Sequence, residues 1–101
     1  MYRCALQLSV IVSFRHKGLK RLFEKDDAAG IRPDMLDKVR TILVQLDEAG
    51  VIEDMRLTSF HLHALKGDRK GFWSVTVRAN WRIIFCFDDR NAGDVELIDY
   101  H

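Results

Sequence analysis

Between Phe60 and Arg82 the chain gathers side chains suited to handling a phosphate: His61, His63, Lys66, Arg69, Lys70, Arg78 and Arg82, against a single acid, Asp68. Counted from Arg56, the stretch carries a formal charge of +5. Histidine titrates near neutrality, so it can give or take a proton at working pH. A guanidinium offers parallel donors that match two phosphate oxygens. A compact, His-dotted cationic surface on a rigid sheet suits a polyanion, RNA foremost.

Each motif has a plainer reading beside the chemical one. His61 and His63 are two apart, so they can share one face. A zinc site would need further ligands, and no Cys-x-x-Cys is present; we read no metal and no cofactor. His63 precedes Lys66 by three, which lets imidazole and ammonium point into one cleft or simply face solvent. Lys66-Gly67-Asp68-Arg69-Lys70-Gly71 predicts a tight exposed loop, with backbone N–H groups free for phosphate. It lacks the spacing and the Lys-Ser/Thr pair of a Walker loop. Arg82 enters an apolar strand, where a guanidinium is costly unless paired or aimed at a ligand; Asp88 and Asp99 are the structural partners to weigh. Tyr100 and His101 follow an apolar strand, either held by the sheet or frayed. Trp73 and Trp81 suit the core. Phe60 and Phe72 are the candidates for stacking a base.

These groups need a scaffold. A chain of 101 residues, 48% of them hydrophobic, makes one domain, 1–101, with a real core. No apolar run approaches the ~20 residues of a membrane helix, and residues 4–12 read as too short and interrupted for an export signal. Cys4 and Cys86 do not make a disulfide framework, which fits a reduced, cytoplasmic setting. Charge alternates in blocks of +5 (1–23), −5 (24–54), +5 (55–82) and −4 (83–101). A basic face can meet RNA while an acidic one meets water or a basic partner.

Val10–Phe14 reads as a strand, with residues 1–9 a possible N-terminal extension. Lys17–Asp27 reads as a helix with Leu19, Leu22 and Phe23 on one face. Gly30 turns the chain, and Pro33 suits the first turn of the next helix. Met35–Ala49 carries Leu36, Val39, Leu43 and Leu46 at helical spacing, and Gly50 stops it; 51–55 adds a turn. Residues 58–71 form a loop or edge strand. The period then drops to two: Trp73, Val75 and Val77 alternate with Ser74, Thr76 and Arg78. Ala79-Asn80 turns into a central strand, Trp81–Phe87, and Arg90–Asp94 turns into a last strand from Val95. The prediction is an α+β fold, strand-helix-helix-three-stranded meander. Two helices lie on one face of a small antiparallel sheet, and Ser74, Thr76, Arg78 and Arg82 lie on the other.

Four segments together resemble the HigB toxins, within the RelE superfamily of bacterial toxin–antitoxin systems. They are Ser13-Phe14-Arg15-His16-Lys17-Gly18-Leu19, Leu65-Lys66-Gly67-Asp68-Arg69, Trp73 through Arg82, and the closing Asp99-Tyr100-His101. Ala64 departs from the pattern, where a proline is often found. The resemblance implies a toxin that enters the ribosomal A site and cuts messenger RNA. It implies a HigA-type helix-turn-helix antitoxin, and contact with operator DNA only through that antitoxin. It implies catalytic or substrate-contacting roles for His63, Lys66, Arg82, Tyr100 and His101. Arg69, Lys70, Arg78, Lys17 and Lys20 are the further RNA-binding candidates.

Metal-free RNA cleavage uses the 2′-hydroxyl as nucleophile on its own phosphate. It needs a proton acceptor, a proton donor and cations for the charge growing on phosphorus. Arg82 and Lys66 suit the phosphate; Tyr100, His101 and His63 suit proton transfer or orientation, and which of them is the base stays open. The rival reading is a non-catalytic RNA- or ribosome-binding module that uses the same basic face.

Overall fold

The computed structural model describes residues 11–88 and 91–99. The extension proposed for residues 1–9 lies outside them, as do Tyr100 and His101.

Helix α1 spans Lys17–Lys25. It starts where the sequence allows: His16 is extended, and its Nδ1 accepts from the Leu19 amide at 3.1 Å, satisfying one orphan donor of the first turn. Leu19 and Leu22 are buried. Asp26 ends the helix in the left-handed region, φ 54°, two residues before the expected end. Helix α2, Leu36–Glu48, buries Val39, Ile42, Leu43 and Leu46 and is one residue shorter at each end than the periodicity predicts. Pro33 does not open it. Residues 33–35 form a separate turn, with the Met35 amide donating to Arg32 O at 3.0 Å. Asp54 caps the 3-10 turn Ile52–Met55 by accepting from Gly50 N at 2.8 Å.

The sheet is β1 (His63–Ala64), β2 (Phe72–Arg78), β3 (Trp81–Asp88) and β4 (Asn91–Asp99), antiparallel throughout in the order β1-β2-β3-β4. Its inner face presents Val75, Val77, Ile83, Phe85, Val95 and Leu97 to the helices, with Trp73 and Trp81 partly buried against them. The α+β class and the two-helices-on-a-sheet arrangement therefore stand. Among the described residues the strand expected at Val10–Phe14, whose first residue lies outside them, is reduced to two isolated parallel bridges, Ile11↔Ala92 and Phe14↔Val95, along the outer edge of β4. The expected turn at 90–94 is displaced. Strand β4 already begins at Asn91, paired with Asp88. A bulge opposite Ile84/Cys86, with Asp94 at φ 51°, breaks the alternation that would have revealed it.

Helix α1 meets the 28–31 turn backbone to backbone. A Cβ on Gly18 would stand 2.8 Å from Gly30 O, and one on Gly30 would stand 2.7 Å from Gly18 Cα. Gly18→Ala gains helix propensity of up to ~1 kcal/mol but must push two backbones apart, an overpacking cost of about 1–3 kcal/mol. The expected result is a net loss of stability, read as a melting temperature several degrees lower. An unchanged or raised melting temperature would show that the turn yields freely.

Candidate active site

On the outer face of the sheet a cleft of about 260 Å³ is lined by His61, His63, Leu65, Ser74, Thr76 and Arg82. Its floor comes from strand alternation: Ser74 and Thr76 point away from the helices because Trp73, Val75 and Val77 point toward them. His63 pairs with Ser74 across the β1–β2 ladder, and Thr76 pairs with Arg82 across β2–β3. Register thus sets an imidazole and a guanidinium on two neighbouring cross-strand rows. His61 adds a second imidazole from a left-handed backbone, φ 49°.

Arg82 is anchored but not neutralised. Its Nη1 donates to Ala79 O at 2.7 Å and to Trp81 O at 3.3 Å. Among the described residues neither Asp88 nor Asp99 forms an ion pair with it, and no hydrogen bond engages its Nε or Nη2. One nitrogen fixes the side chain; the rest of the fork is left for a ligand.

The other sequence candidates fall at varying distances from this cleft. Lys66 follows Leu65 directly, is exposed, and has no ion-pair partner among the described residues. Arg69 and Lys70 are exposed in the loop after it. Gly67 and Gly71 supply the positive φ that the loop requires, 68° and 94°. The amides of Arg69 and Lys70 are spent on Lys66 O and Gly67 O, so the expectation of free loop N–H groups fails for those two. Arg78 leaves the outer face: the bulge between Thr76 and Arg78 turns it to Asp34, Nε to Oδ2 3.3 Å. Lys17 and Lys20 are exposed on α1, and Lys20 borders a separate hollow with Phe14, Phe23 and Glu24. Phe60 is 1% exposed and belongs to the core, which corrects its reading as a stacking surface. Sequence reasoning gave Ser74 and Thr76 no part in the site, and grouped His61 with His63 without assigning it a role. The His-x-His spacing and the polar half of the β2 alternation were their signals. Among the described residues no three His, Cys, Asp or Glu side chains group as metal ligands, and no helix is long and apolar enough to cross a membrane.

Among the described residues two titrations are displaced from their usual values. Burial pushes the Cys86 thiol up; Asp94 adds to the rise and Arg15 opposes it, so this thiol stays protonated and unreactive. Burial holds the His16 imidazole below its ordinary value, with Glu96 pulling the other way. Only neutral His16 can accept from Leu19 N. The unfolded chain takes up this proton near pH 6.5, and the folded chain resists until lower pH. Between those limits the unfolded state binds more protons, so stability falls as pH drops through about 6.5 and below. His16→Asn retains a cap without titrating; its melting temperature is expected to fall less than the parent's between pH 7.5 and 5.5. Parallel curves would remove His16 from the account.

The combination of imidazole, open guanidinium fork and hydroxyls can hold a phosphodiester and move protons beside it. The comparisons with known proteins point the same way. A family model described as RelE-like toxin of type II toxin–antitoxin system HigB matches residues 12–101. Endoribonuclease HigB of Proteus vulgaris is 46% identical over 92 residues, covering 91% of this chain and all of that protein. Fold, cleft and the extent of these matches lead to one assignment: the chain belongs to the HigB family of RelE-like toxins of type II toxin–antitoxin systems.

Proposed function

We propose that this toxin is an endoribonuclease that cuts messenger RNA in the ribosomal A site, by attack of a 2′-hydroxyl on its own phosphate. The observation that carries the reading is Arg82, held in place by two carbonyls while the rest of its fork stays open in a cleft with His61 and His63. The Proteus vulgaris relative's name as an endoribonuclease supports it.

In this reading Arg82 grips the non-bridging phosphate oxygens and Lys66 adds charge from the cleft's rim. Both favour the more highly charged transition state over the bound substrate. His63, Tyr100 and His101 supply proton transfer and orientation. Arg69 and Lys70, with Lys17, Lys20 and Arg78 further off, contribute affinity for the RNA backbone. The ribosome presents the codon to the cleft. A helix-turn-helix antitoxin of the HigA type neutralises the toxin and carries the pair to operator DNA.

Purified toxin added to programmed ribosomes should produce new RNA ends within codons, at a rate unchanged by EDTA once the ribosomes are kept intact by another polycation. The same message without ribosomes should be cut far more slowly. Messages bound but left whole would instead identify a binding module that uses this face for affinity alone.

A further inference from the structure

The outer sheet face carries a second cluster at the end remote from Arg82. Phe72 opens β2 on the same face as Ser74 and Thr76 and pairs with Cys86. The ring is half-buried and stands outside the core cluster. Arg15, tied to the β4 edge by its backbone N–H donating to Val95 O at 2.9 Å, brings its guanidinium carbon to 5.9 Å from the ring centroid. Its Nε lies 3.7 Å from Asp94 Oδ1. Arg15 and Asp94 are 57% and 43% exposed, so this pair orients the guanidinium more than it stabilises the fold. Lys66, Arg69 and Lys70 sit in the loop that runs directly into Phe72.

We propose that Phe72 and Arg15 form a base-stacking subsite for the same single-stranded RNA whose phosphate is held at Arg82, an inference that rests on the nuclease reading. An aromatic ring and a guanidinium plane are the two surfaces on which proteins stack unpaired bases. Both are present here, within cation–π range of each other, on the outer face of the sheet, with cations in the adjoining loop for the flanking phosphates. Trp73 and Trp81 pack against the core and cannot serve. Phe72 lies four residues before Thr76, the partner of Arg82, or about 13 Å along the strand at ~3.3 Å per residue. That leaves room for a few nucleotides between the stacked base and the cut. Stacking accepts any base, so the subsite adds affinity without dictating codon choice.

The test pairs changes in protein and message. Messages cut on programmed ribosomes are remade with one abasic nucleotide at each position around the cut, and single-turnover cleavage is followed with the parent and with Phe72→Leu, which keeps apolar bulk and removes the ring. Phe72→Leu should raise KM by roughly 5- to 100-fold, the loss falling on KM rather than kcat, and Phe72→Trp should restore it. At one position the abasic lesion should weaken the parent and add nothing to Phe72→Leu. Losses that add at every position, or an unchanged KM, overturn the subsite. Should Phe72→Leu melt at assay temperature, Arg15→Gln carries the same cycle. A parent that cuts no message defeats the nuclease reading itself, and the subsite with it.

Discussion

Arg82→Ala is expected to lower the rate of message cleavage on programmed ribosomes by about 10²- to 10³-fold while leaving the melting temperature nearly unchanged. The two halves of that expectation come from different atoms. The side chain is half-exposed and its hydrogen bonds go to two carbonyls at its own hairpin turn, so its removal strips little from the core. The nitrogens left open to the cleft are those a phosphate would lose. Arg82→Lys keeps the charge but not the fork and should recover only part of the activity. Cleavage by Arg82→Ala at the parent rate would move the chemistry to another surface.

The second large effect is expected at the chain's last two positions. Strand β4 is in register with β3 as far as Asp99, which pairs with Trp81, and Ile98 pairs with Arg82 itself. Tyr100 and His101 follow Asp99 in the chain, and the proposed function gives them proton transfer and orientation. His101→Ala should reduce cleavage by about 10²- to 10⁴-fold if its imidazole transfers a proton. Combined with Arg82→Ala, the loss should be less than the product of the single losses, because groups acting on one phosphate fail together. Tyr100→Phe separates stacking from proton transfer: it keeps the ring and removes the hydroxyl. If His101→Ala and Tyr100→Phe both cut at the parent rate, the proton-transfer role falls to His63 or His61.

Much of this scaffold was legible in the residues. Helix α2 announces itself because Leu36, Val39, Leu43 and Leu46 keep their spacing, and β3 because it is apolar on both faces in the middle of a sheet. The cleft floor was legible as well, since Ser74 and Thr76 must oppose Val75 and Val77. Two of the failures share a cause. A bulge inserts one residue and reverses the face of every residue beyond it; nothing in Thr76-Val77-Arg78 marks the first, and the second falls on β4 around Asp94, opposite Ile84–Cys86. Arg78 therefore turns to Asp34, and the start of β4 reads as a turn. Phe60 misleads because a ring in a polar stretch looks exposed until long-range packing closes over it. His61 lines the cleft beside His63 from a left-handed backbone, φ 49°, which no glycine in this stretch signals.

The cleft has walls of unequal permanence. Arg82 stands on β3, bonded to a neighbour along both edges, whereas His63 stands on β1, two residues long at the sheet's margin. A margin so brief opens in local fluctuations that the centre does not share. If the proposed function holds, the phosphate grip is ready-made and the imidazole wall is the part expected to settle when RNA binds.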